Sequence, residues 1–233
     1  MSRGRISSAT ILTGGAAFED VCQKASLFNG CSFGVHLYLT DLHPSTDPRI
    51  FADHGLLSSR GAFNGSIRNA KATRHLKQAI YKEWCAQLDR ARAAGLRISH
   101  VDSHHHVHTI PWMIGTLSRL ARRYRIPAIR RSMDLYYWPE VSPPAALRMK
   151  KCMWNTALPI LSGAKVARHF TNFNWFFRLF GSLESGRKPR VRGAVELMCH
   201  PGNPGFAEET RLLDTDWRGH LGLPAELITY NDL

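Results

Sequence analysis

A chain of 233 residues with 44% apolar content can enclose a sizeable core, and none of its apolar runs reaches the roughly 18 residues of a membrane-spanning helix. The formal charge of +13 raises nucleic acid as a partner. No nucleic-acid-binding motif accompanies the basic clusters at residues 119–131, 148–151 and 187–192, and two of them fall where helix ends or surface loops are expected, which argues against that partner. Five scattered cysteines, odd in number and without a C-x-x-C pair, form neither a disulfide framework nor a zinc site and read as reduced, buried thiols of a cytosolic protein.

The opening residues loosely imitate a signal peptide, but the apolar patch is short and rich in Ser and Thr, so residues 5–13 read as a strand closed by Gly14-Gly15. A helical pattern over 17–28 stops at Asn29-Gly30, and F-G-V-H-L-Y-L-T at 33–40 predicts a second strand. There Val35, Leu37 and Leu39 share one face and Gly34, His36 and Tyr38 the other. Residues 41–66, polar and rich in Pro and Gly, predict a long loop of the kind that often serves binding. Residues 73–94 are the clearest helix, with Leu76, Ile80, Trp84 and Leu88 four apart and Gly95 beyond the end.

That helix leads into H-V-D-S-H-H-H-V-H at 100–108, which holds five of the twelve histidines. If 98–104 is a strand, His100, Asp102 and His104 share one face, while Val101, Ser103 and His105 point into packing. Neutral imidazoles beside a carboxylate form the ligand set of a divalent metal site; the competing reading is a solvated loop that picks up metal adventitiously. Pro111 opens a further helix with Ile114, Leu117, Ala121 and Tyr124 inward, followed by a short strand at 127–131. The alternation of strand and helix is that of a parallel α/β fold.

Pro143-Pro144 precedes a helix to about residue 161, and 166–171 reads as a strand. Phe173, Trp175, Phe176, Phe177 and Phe180 crowd one segment; that density favours core or a homodimer interface over a stacking platform for a sugar. A-V-E-L-M-C at 194–199 is a buried strand ending at His200-Pro201-Gly202, the position where barrel enzymes place catalytic groups.

Three segments, F-G-V-H-L-Y-L-T, H-V-D-S-H-H-H-V-H-T-I-P and E-L-M-C-H-P-G, together resemble the YdjC-like carbohydrate deacetylases, which include chitooligosaccharide deacetylases and hopanoid-biosynthesis HpnK-type proteins. The opening G-R-I-S-S-A-T-I-L-T-G-G-A-A-F and the closing E-L-I-T-Y-N-D-L extend the resemblance nearly end to end. It implies an α/β fold, a distorted (β/α) barrel forming one domain over residues 1–233, and hydrolysis of N-acetyl groups on an amino sugar, a short N-acetylated oligosaccharide or a lipid-linked sugar. It also implies a divalent metal, Mg²⁺ or Zn²⁺, held by His36 and His104, with His200 as the acid that protonates the leaving amine; Asp102 would support a ligand imidazole. The family's first strand, ending N-A-D-D-F-G, has no counterpart, because the sequence begins about one strand and one helix downstream. The expectation is a barrel lacking its first strand, with unpaired neighbouring edges and impaired activity. Two rival readings are another metallohydrolase of the phosphoesterase or amidohydrolase type, and a catalytically dead basic binding protein.

Overall fold

The computed structural model describes residues 5–136, 143–181, 191–222 and 224–233. Much of the basic run at 187–192 lies outside them. Six short parallel strands form an arc. β1 (Ser8–Ile11), β2 (Ser32–Leu37), β3 (Ile98–Ser103) and β4 (Ala128–Ile129) pair in sequence order. Beyond β4 the ladder continues as Ile129 N donates to Lys165 O and Asp134 N to Phe170 O, which brings in β5 (His169–Asn172) and then β6 (Val195–Met198). Among the described residues β1 pairs only with β2 and β6 only with β5, so the arc stays open between them.

Each crossover carries helix, as parallel pairing requires. The first contains α1 (Phe18–Lys24), the second α2 (Arg49–Asp53) and α3 (Arg74–Ala93), and the third α4 (Ile114–Tyr124). The helix α5 (Ala145–Ser162) precedes β5, α6 (Phe173–Gly181) follows it, and α7 (Ala207–Leu213) and α8 (Trp217–Leu221) follow β6. Thr73 caps α3 by accepting from Leu76 N, and Leu76, Ile80, Trp84 and Leu88 are fully buried against the sheet, as their spacing predicts. No helix among the described residues is long and apolar enough to cross a membrane.

The strands are shorter than their sequence patterns because the arc bends at each strand end. β3 stops at Ser103, where His105 and His106 enter left-handed backbone (φ 50° and 54°) and the Ser103 hydroxyl accepts from His108 N at 2.9 Å. Residues 41–66 are a packed excursion, not an open loop: α2 lies within them, Leu57 bridges Phe63, and Phe51, Leu56 and Phe63 are buried. A polar clamp from α3 anchors its root. Gln87 bonds both backbone groups of Tyr38 at 3.0 Å, and the buried Glu83 carboxylate accepts from Ser45 N and from Thr46 N and Oγ1. The aromatic segment is core: Phe173, Phe176 and Phe180 pack with Leu213, Trp217 and Leu221.

On β2, Val35 and Leu37 face the helices, while Gly34 and His36 face the interior of the arc. Gly34 is required by packing: a Cβ there would lie 2.5 Å from His100 O and 2.8 Å from two atoms of its ring. Gly34→Ala therefore drives β2 from β3 and should lower stability by about 1–3 kcal/mol. Chemical denaturation checks this; an unchanged midpoint would show that the strands absorb the methyl group freely.

Candidate metal centre

The histidine-rich segment and the end of β2 bring their side chains to the same end of the arc. His36 points inward from β2, and its Nδ1 lies 2.6 Å from Oδ1 of Asp102, which stands opposite it in the β2–β3 register. A carboxylate only accepts, so Nδ1 is the donor of this bond and Nε2 is the ring nitrogen left to serve as a ligand. Thr10 of β1 reaches both groups at 3.3 Å. The sequence reading places Asp102 behind a ligand two residues away on its own strand; here the imidazole it contacts is that of His36 on the adjacent strand.

His104 sits just past β3, and its ring meets that of His36 edge to face, with centroids 5.6 Å apart. Its Nε2 lies 2.9 Å from Oδ2 of Asp41. The sequence reading sends His105 into packing; the left-handed turn instead brings its ring back onto that of His104, at 4.0 Å, and its Nδ1 to 3.0 Å from Thr40 Oγ1. Asp41, His104 and His105 each offer a donor atom, all within 4.8 Å of one another. Two ligands at about 2.1 Å from one tetrahedral ion stand about 3.4 Å apart, so the 2.9 Å Asp41–His104 spacing would open by about half an ångström to admit one. These residues fit a divalent cation. Asp41 itself has φ 65°, a conformation in which Asp is among the few tolerated residues.

Behind His36 lies a buried ionic chain. Asp102 is wholly enclosed and is bonded to the Arg130 guanidinium, whose Nε also lies 2.5 Å from Oε1 of Glu196. Burial pushes the Asp102 carboxyl up, but Arg130 and His36 outweigh it and hold it well below the usual carboxylate range. Glu196 goes the other way: burial dominates, and the guanidinium it leans on is shared with Asp102. The ring of Tyr230, from the turn at Tyr230–Asp232, stacks on His100 at 3.7 Å beside this chain. The expected shared face of His100, Asp102 and His104 therefore divides, since His100 belongs to the interior stack and His104 to the rim.

His200 follows β6. Its backbone N donates to Oε2 of the buried Glu209 at 2.6 Å, while its Nδ1 stands 3.5 Å from the same oxygen, near enough for charge attraction but out of line for a hydrogen bond. The ring stacks on Phe206 at 4.3 Å. The described contacts of His200 are with these residues and not with His36 or His104. Sequence reasoning missed Arg130, Glu196, Glu209 and Tyr230. A signal existed for Glu196: one charge within an otherwise apolar strand has to be paired if that strand is buried.

Burial lowers His100 to about 3 and His108 to about 4, so both imidazoles are neutral in the folded chain. Unfolded, each takes a proton below about pH 6.5, so stability falls as pH drops through that value towards the folded values. Unfolding in chelator-containing buffer should show a loss of about 2–4 kcal/mol between pH 7 and pH 5. Stability that is flat across this window would show that the two rings are not held neutral.

The YdjC-like protein family matches residues 1–221 of the chain. A carbohydrate deacetylase of Geobacillus stearothermophilus is 35% identical over 126 residues, 53% of this chain and 48% of that protein. One from Oceanobacillus iheyensis is 27% identical over 203 residues, 85% of this chain and 74% of that protein. The match thus spans about half the length of the first relative and about three quarters of the second. Among solved structures, a protein described as a cellobiose-phosphate cleavage protein from Enterococcus faecalis V583 superposes with a TM-score of 0.69 at 20% identity, covering 99% of this chain and 89% of that one. That likeness supports the α/β architecture and is compatible with a distorted barrel of the deacetylase type. With the family match extending over nearly the whole chain, the protein belongs to the YdjC-like family.

Proposed function

We propose that the chain is a metal-dependent hydrolase that removes N-acetyl groups from amino sugars or short N-acetylated oligosaccharides, acting as a single domain. The observation that carries this reading is the convergence of Asp41, His104 and His105 beside His36, whose free Nε2 is directed by Asp102. A bound divalent ion would polarise the amide carbonyl and lower the pKa of a water molecule. Asp41, His104 and His105 would hold it, and His36, whose ring lies against that of His104 but outside this cluster, would join them if its Nε2 turned to the same ion. Asp102, fixed by Arg130, keeps the His36 tautomer and ring orientation that leave Nε2 available. His200, backed by Glu209, supplies the proton that the departing nitrogen needs. Imidazoles joined by one carboxylate suit Zn²⁺ better than Mg²⁺, which prefers oxygen donors.

The phosphoesterase and amidohydrolase reading differs in substrate, and the dead-binder reading in lacking turnover. Acetate release from N-acetylglucosamine oligomers, with metal content measured in parallel, distinguishes all three. Asp41→Asn and His104→Ala should each weaken metal binding at least about tenfold without unfolding the chain, and Asp102→Asn, which also deprives Arg130 of one carboxylate, should weaken it about 10–100-fold while lowering stability. His200→Ala should retain metal and lose about 10²–10⁴ in kcat. Full metal content with wild-type acetate release in His104→Ala would overturn the assignment of the centre.

A further inference from the structure

The helix α5 has two apolar sides. Trp154 and Leu158 are buried on one, where the helix packs on α4 and Asn155 clamps both backbone groups of Ser132. The opposite side would ordinarily be polar. Here Met149, Met153 and Ile160, spaced four and seven apart and so on one face, are 62%, 65% and 71% exposed. Among the described residues, five of the eight exposed large hydrophobic side chains are on this one helix, three of them in this stripe. The stripe is a contiguous surface feature rather than scattered exposure, the kind that marks an interaction site.

The charge on the two packed helices is of one sign. Neither α4 nor α5 contains an acidic residue. Exposed Arg148 and Lys150 flank the amino-terminal half of the stripe. At its other end, just past Ile160, a basin is lined by Arg122, Arg125 and Lys165 together with Ser162 and Gly163. Lys165 also donates to the Leu233 carbonyl there.

We propose that this face docks on an anionic lipid surface, the outer stripe of α5 entering the headgroup boundary and the cations at its two ends meeting lipid phosphates. An apolar stripe with basic flanks is the pattern of a helix lying in the plane of a membrane interface. Charge complementarity selects this occupant. A second copy would bring the same cations to a contact without a carboxylate on either helix. A nucleic acid would gain nothing from three exposed apolar side chains at the centre of the contact. The inference is independent of the chemistry assigned to the metal centre.

Flotation with vesicles tests it, using phosphatidylcholine alone and phosphatidylcholine containing about 30 mol % phosphatidylglycerol. The protein should float with the anionic vesicles only, and about 0.5 M salt should release it. Arg148→Gln with Lys150→Gln should lower the partition coefficient about 25-fold, from roughly fivefold per cation near an anionic surface. Met153→Glu with Ile160→Glu should abolish flotation; both side chains are exposed, so the thermal melt should not move, and circular dichroism confirms the fold. Absence of flotation by the wild-type chain would overturn the proposal. So would flotation that survives the glutamate pair and falls only with the glutamine pair, which would mark a purely electrostatic surface. A wild-type dimer in light scattering that the glutamate pair makes monomeric, with vesicle binding unaltered, would assign the face to self-association and overturn it as well.

Discussion

Arg130 is the tie on which the interior of the arc depends. Its guanidinium meets Asp102 of β3 and Glu196 of β6 and lies over the Phe170 ring of β5 at 5.0 Å, so one side chain joins the four-stranded sheet to the separate two-stranded pair. The pairing does not make the fold unusually stable, because the desolvation of three charges offsets much of their attraction. What it does is make the arrangement specific: without Arg130, two buried carboxylates lose their cation, a loss of about 3–5 kcal/mol in comparable buried pairs. The same carboxylate that satisfies Arg130 also orients His36. The structural seam and the candidate site therefore share Asp102, and neither can be altered alone.

The rim of the site is built differently. Asp41, His105 and His106 all adopt left-handed backbone, a conformation that costs energy in residues with a side chain and persists only where neighbouring contacts impose it. Those contacts are present. Asp41 N donates to Phe63 O, Phe63 N to Leu42 O, and Arg68 donates to His105 O. The excursion after β2 thus serves as a buttress that holds the two ends of the donor set in register before any ion arrives.

Periodicity made the framework legible. The four-residue spacing in α3, the alternation in β2 and the glycine stops read directly as helix, strand and turn, since each depends on local geometry. The H-V-D-S-H-H-H-V-H run pointed to the candidate site by its density of imidazoles. The orientation of His105 did not follow, because it depends on a two-residue left-handed turn that breaks the strand period. Arg130 was hidden in what reads as a solvated basic cluster; only the curvature of the arc, a long-range property, turns it inward while Arg122, Arg123 and Arg125 stay outside. Glu83 and Gln87 were lost in the same way, as polar positions on an otherwise ordinary helix.

That pair has a consequence for how the chain can vary over evolution. Tyr38, Ser45 and Thr46 are held from behind by side chains that lie within the core, so the seven residues between Tyr38 and Thr46 are fixed in length as well as in path. Further along, the turn at Ser58–Gly61 closes on a single exposed hairpin, bonded across its base by Ser58 N to Ala62 O. Insertions and deletions should accumulate there, where the added chain meets only water. Substrate-shaping diversity among relatives can thus arise at the tip of the excursion, while the carboxylate at its root stays in place.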